Sequence, residues 1–183
     1  MQKYRLDTLI SLDTLLLGSM LYENGEHEAA FECLINSPGM LDVPQALFML
    51  VEWLRYTETD KARKEIVKKM NTVCRREYDA KSFSEHISLL AQDVFEEENP
   101  SDDDVGYVLL AHANMKIVEH GDSDNIVREL KVAGAHGLHY GHISAGDILK
   151  ELNKDDEALE CYQKAYLLNP DIVSMRRILD LLL

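Results

Sequence analysis

The stretch GDILKELNKDDEALECYQKAYLLNP, residues 146–170, decides how the rest of the chain is read. It spans the end of one predicted helix, 139–152, and a second, 155–168, which Asn169-Pro170 stops, because proline carries no backbone N–H and clashes with the preceding turn. Ala158, Tyr162 and Ala165 fall at i, i+4 and i+7, one face of a helix. Small Gly146 and Ala158 let two antiparallel helices approach. Tyr162 fills the groove beside them, and Ala165 leaves room for the next hairpin to stack. The predicted unit is a pair of helices that cannot bury its apolar faces alone.

Outward from this segment the same texture covers the chain. Helices are predicted over 6–23, 27–36, 44–57, 60–77, 82–97, 103–119, 123–134, 139–152, 155–168 and 172–182. Turn chemistry separates them at Asn24-Gly25, Ser37-Pro38-Gly39, Thr59-Asp60, Asn99-Pro100-Ser101 and Gly121-Asp122-Ser123. Pro44 suits a first helical turn, and Ser82 with Glu85 forms a capping box. Ile66/Met70/Val73 and Val108/Ala111/Met115/Val118 are apolar stripes at helical spacing, read as core packing between helices. No alternating β-branched runs bounded by hairpin turns occur, so strands are not expected.

The length of 183 residues fits one domain, and 46% apolar against 28% charged residues is a globular balance that argues against disorder. The net charge of −14 disfavours general binding to nucleic acid or anionic membrane, which require positive potential. Cys33, Cys74 and Cys161 are odd in number and widely spaced, which reads as reduced buried thiols in a cytosolic protein. Lys3 and Arg5 precede an apolar stretch, but Asp13 breaks it and no small-residue cleavage site follows, so it is read as a helix and not a signal peptide. No run approaches the roughly 20 apolar residues of a membrane span. The expected compartment is the cytoplasm.

Residues 146–170 resemble a tetratricopeptide repeat, with Gly146, Leu149, Ala158, Tyr162, Ala165 and Pro170 at the family's positions. His142 and Ala145 depart from the Trp and Leu usual there, and Leu149 replaces a usual Tyr. The N-terminal hairpin echoes the pattern: Gly18, Leu21, Glu23, Ala30 and Glu32-Cys33 align with Gly146, Leu149, Glu151, Ala158 and Glu160-Cys161. Residues 103–146 resemble the related Sel-one-like repeat through Ala133, Gly137, Gly141 and Ala145-Gly146. The resemblance implies an all-α fold: a right-handed solenoid of about five antiparallel helix hairpins in a single domain over 1–183. Degenerate repeats would occupy 6–98 and clearer ones 103–183.

Such arrays are protein-interaction scaffolds, which implies a non-enzymatic adaptor that holds a peptide or partner helix on its concave face, without a cofactor. Helix 139–152 carries Ile143, Ser144 and Asp147 where chaperone-tail binders place a Lys and Asn clamp, so that role is not implied. A dedicated chaperone, similar in size and charge to the small acidic chaperones of bacterial secretion systems, is the alternative within this class.

Arg55 to Arg76 holds eight basic residues and a charge of +5, leaving −19 elsewhere. Lys61, Lys64, Lys68 and Arg75 share one side of the predicted helix, either as a docking strip for an acidic peptide or as a solvated face. Asp93 to Asp104 is acidic and reads as a solvated, helix-capping loop and a candidate hinge. Five of seven histidines, His112, His120, His136, His139 and His142, lie close in sequence and are the basis of a metal-dependent-enzyme alternative, although no H-E-x-x-H motif occurs. G-x-S-x-G, phosphate-loop and dinucleotide motifs are absent. Leu179, Leu181, Leu182 and Leu183 give the last helix an apolar end, read as a self-association surface for a homodimer or as the cut edge of a longer chain.

Overall fold

A computed structural model describes the backbone of residues 2–96, 102–119 and 122–183, and the side chains of 12–92, 102–119 and 122–183. Every element among them is helical: α1 (Gln2–Glu23), α2 (His27–Ile35), α3 (Pro44–Arg55), α4 (Asp60–Glu77), α5 (Phe83–Glu96), α6 (Asp102–Val118), α7 (Ser123–Ala135), α8 (His139–Glu151), α9 (Asp155–Leu168) and α10 (Ile172–Leu182). The expected helices all form. The structure adds a short 3-10 turn at Met40–Asp42, entered through Gly39 in the left-handed region at φ 74°, which buries Met40 and Leu41. Its three residues are too few for periodicity to register. The start of α5 also differs from a simple capping box. Ser82 Oγ accepts from the Glu85 amide at 3.1 Å, while Glu85 reaches the amide of Lys81, and Asn71 accepts from the Phe83 amide at 2.7 Å.

The chain divides into two compact units, Met1–Leu90 and Ala91–Leu183. In the first, α1 and α2 form a hairpin. Gly18 sits where a Cβ would come within 3.1 Å of Leu34 and 3.4 Å of Trp53. Ala30, Phe31, Leu34 and Ile35 turn the buried side of α2 inward, to a core that includes Leu47, Leu50 and Leu54 of α3 and Met70 of α4. His86 of α5 is buried and places Nε2 2.7 Å from the Leu41 carbonyl, which ties the 3-10 turn to α5.

In the second unit each helix packs on its sequence neighbours: α7 on α6 and α8, and α9 on α8 and α10. This nearest-neighbour pattern is that of a helical-repeat array. Glycines set the distances. A Cβ on Gly141 of α8 would lie 2.5 Å from the Leu130 carbonyl oxygen and 2.6 Å from the Gly134 nitrogen, both backbone atoms of α7. A Cβ on Gly146 would lie 2.5 Å from the Tyr162 ring. Tyr162 is fully buried, and its hydroxyl donates to Asp147 at 2.8 Å. Arg177 of α10 reaches the same carboxylate with two nitrogens, at 3.0 and 3.2 Å, so one aspartate joins α8, α9 and α10.

Gly141→Ala gains the helix propensity of alanine, about 1 kcal/mol, but backbone atoms of α7 cannot make way. A net destabilisation of about 1–3 kcal/mol is expected in urea denaturation followed by circular dichroism. Gly137→Ala, at φ 89° with open space around its Cβ, should cost only about 1 kcal/mol of backbone strain. His142 is buried against Gly134, and its Nδ1 has no partner among the described residues. Burial pushes its imidazole below the ordinary value of 6.5, Lys164 and Lys131 push it further, and Glu160 opposes them. The unfolded chain therefore takes up this proton first as pH falls. Stability should be full above pH 6.5 and decline as pH drops below it. His139, also lowered by burial against the opposing charge of Asp171, adds to the decline. His142→Leu should shrink the loss of denaturation midpoint between neutral and mildly acidic buffer.

Candidate functional site

Helix α4 presents two chemically different faces. Thr59 caps it, accepting from the Ala62 amide at 3.2 Å, and Met70, Val73 and Cys74 bury its inner side. Lys61, Lys64, Lys68 and Arg75 are exposed on the outer side. The lysines make no ion pair among the described residues, while Arg75 donates to the Lys81 carbonyl at 3.0 Å. The other basic residues of the segment do not join this strip. Arg63 bonds the carbonyls of Leu54 and Thr57 and pairs with Asp60. Lys69 crosses to α2, donating to Glu32 at 2.8 Å and Glu28 at 3.3 Å. These two hydrogen bonds raise its ammonium above the ordinary lysine range, Glu32 contributing most.

Between α2 and α4 lies an open groove of about 340 Å³. Its floor is carbon, from Phe31, Ile35, Ala62 and Ile66, and its rim carries Glu28, Glu32, Glu58 and Glu65. One end is aromatic. Tyr22 stacks between Trp53, with centroids 4.6 Å apart and planes within 6°, and His27 at 4.5 Å. Phe31 meets Trp53 edge-on at 5.7 Å. Tyr56, 60% exposed, stands beside the groove with the Arg55 guanidinium 5.5 Å above its ring. Sequence reading missed this groove. Glu28 and Glu32 are one helical turn apart, but their partner Lys69 lies 41 and 37 residues away, beyond any local pattern.

The histidines are drawn into separate contacts. His112 pairs with Glu129 at 3.2 Å, beside Lys116 on the same carboxylate. Burial works to raise the Glu129 carboxyl, but hydrogen bonds from His112 and Lys116 prevail and hold it below the usual range. His136 Nδ1 lies 3.0 Å from Asp102, His139 Nε2 lies 3.6 Å from Asp171, and His142 is buried between α7 and α8. His120 lies outside the described residues. Among the described residues no group of three or more His, Cys, Asp or Glu is placed to hold a metal ion.

The cysteines are free, and burial pushes the Cys74 thiol up to about 11 and raises Cys33 and Cys161. These are protonated, weakly nucleophilic thiols at neutral pH. The side chains of the acidic segment from Asp93 to Glu98, and with them the expected hinge, lie outside the described residues. Asp102, Asp103 and Asp104 form the first turn of α6, where carboxylates face the positive end of the helix.

The remaining positions sit in the hairpins. Ala30, Ala158 and Ala165 are fully buried, Leu149 is 1% exposed, and Pro170 stands in the turn between α9 and α10. Of the residues expected on the inner face of α8, Ile143 is buried and Asp147 is engaged by Tyr162 and Arg177. The end of the second unit is apolar and uncovered, with Leu167 80%, Ile172 75% and Leu182 63% exposed. Among the described residues no helix is long and apolar enough to cross a membrane.

Comparison with known proteins joins these contacts to a family. No curated protein matches the chain. The family model for the tetratricopeptide repeat matches residues 139–172, which span α8, α9 and the turn into α10. The match covers the hairpin in which Gly146 meets Tyr162 and Ala158 and Ala165 are buried, and it places the α8–α9 hairpin among helical repeats of the tetratricopeptide type.

Proposed function

We propose that this chain is a protein–protein interaction module that holds a peptide or a helix of a partner and performs no chemistry of its own. The observation that carries the reading is the tetratricopeptide repeat at 139–172, a motif whose general use is protein binding. The chemistry of the described side chains supports it. Cys74 and Cys161 are buried and Cys33 is half-buried, all with raised thiols, and His112, His136 and His139 pair with carboxylates of other segments. We take residues 1–183 as one cytoplasmic interaction domain, with the Sel-one-like reading of 103–146 as part of the same array.

Within this reading, Lys61, Lys64, Lys68 and Arg75 form a docking strip for an acidic segment of the partner. Three ammonium groups on one face of α4, with no ion pair among the described residues, support the strip, because each keeps its field toward an approaching carboxylate. A second reading concerns assembly. The uncovered Leu167, Ile172 and Leu182 favour a homodimer through α10, since an apolar surface of this kind is costly to leave in water.

The test is affinity capture on the immobilised chain beside a Lys61/Lys64/Lys68→Glu variant, followed by direct titration of each captured partner in purified form. A partner that binds wild type directly and binds the folded variant about tenfold more weakly is the expected outcome. Equal binding would remove the strip and leave the module. Failure of every captured protein to bind in purified form would overturn the module itself. A client that stays soluble only when co-expressed with the chain would identify a chaperone.

A further inference from the structure

We propose that the groove between α2 and α4 is a second docking site, specific for a basic amphipathic segment of a partner protein. It does not rest on the repeat at 139–172, and it calls for a ligand of opposite charge to the one the lysine strip would take.

Phe31 and Ile35 are buried at the base and Ala62 and Ile66 are half-covered, so carbon dominates the floor, with Thr57 and Thr59 at one side. A volume of about 340 Å³ is at the small end for ligand pockets, which run from about 300 to 1,000 Å³. It suits apolar side chains from one face of a helix better than a cofactor. The stacked rings of His27, Tyr22 and Trp53 hold one end in shape before any ligand arrives, which lowers the ordering cost of binding.

The rim then selects the sign of the ligand. Glu28, Glu32, Glu58 and Glu65 line the opening; Lys69, the one lysine or arginine lining it, already donates to Glu28 and Glu32, and Arg55 stands at the edge over the Tyr56 ring. An acidic segment would place its ends beside these four carboxylates. A segment with Lys or Arg flanking an apolar stripe meets the carbon floor and the acidic rim together, the aliphatic stems lying along the wall and the charged heads reaching the glutamates. Charge complementarity therefore commits the groove to a basic amphipathic helix.

Lys69 has a defined part in this. It spans α4 to α2 and occupies two of the four carboxylates, acting as an internal stand-in for one ligand cation. Removing its charge should free both glutamates and strengthen binding.

The probe is a synthetic Leu/Lys peptide of about four helical turns, with leucines at helical i, i+3, i+4 spacing, titrated against the full chain by fluorescence anisotropy. Affinity in the micromolar range is expected, weakening with salt. Glu28/Glu58/Glu65→Gln should weaken it about tenfold or more, and Lys69→Met should strengthen it. Glu151/Glu157/Glu160→Gln, which removes the same charge from exposed positions in the second unit, should change it less than about twofold. Any of several results would overturn the proposal: no binding, an equal effect of the two triple variants, equal affinity for a control peptide with every lysine replaced by glutamate, or equal affinity for a peptide of the same composition with its leucines in one block. The first two leave no groove-specific charge, the third no charge selection, and the last no apolar floor. Loss of the lysine-strip partner in the earlier capture experiment bears on none of these.

Discussion

At Gly141 the backbones of α7 and α8 come so close that a single added carbon would meet a carbonyl oxygen at 2.5 Å. The second unit depends on that approach. Helices normally pack with side chains interleaved at 8–10 Å between axes, and a glycine at the crossing lets ridges close further. Gly134 opposite receives the His142 ring, Gly106 receives Leu138, and Gly146 receives Tyr162. Each is a small residue facing a larger one, so volume is filled without a gap. Once α7, α8 and α9 are drawn together in this way, Asp147 is within reach of both Tyr162 and Arg177, and α10 is tied to the hairpin before it. Burial and the neighbouring carboxylate keep the Tyr162 hydroxyl protonated, so it remains a donor across the ordinary pH range.

The first unit is organised around a different constraint. Helix α4 is too polar to be buried and too amphipathic to stand alone. It buries Met70, Val73 and Cys74, sends Arg63 back to cap the carbonyls at the end of α3, and bridges to α2 through Lys69. What is left is an outer face of lysines and an inner shoulder that walls an acidic groove. Two surfaces of opposite charge thus share one helix. A chain of net charge −14 acquires in this way a local positive strip without losing its acidic character elsewhere.

Much of this was legible in the residues. Turn formers and helical spacing located the ten helices, because backbone preference and apolar periodicity are local properties. Gly146, Ala158, Tyr162 and Ala165 marked the hairpin that the tetratricopeptide family model matches, since a close helix crossing demands small residues at set intervals. The basic strip was visible as a run of like charge on one face. Less was legible where partners come from afar. Arg63 and Lys69 counted only as part of the basic segment by sequence, and their partners, carbonyls near the end of α3 and carboxylates of α2, appear only in the folded chain. The five histidines looked like one cluster, yet His112, His136, His139 and His142 are spread over helix contacts.

The sequence by itself determined that the chain is a series of helices, where they start and stop, and which small residues allow them to meet. These follow from dihedral preference and from one-dimensional periodicity. Only the tertiary structure decided which charges survive as free surface and which are consumed in bridges, and only it assembled Tyr22, Phe31, Ile66 and the four glutamates into a groove. Electrostatic partners are chosen by distance in space, and a distance between Glu32 and Lys69 exists only after α2 and α4 have packed.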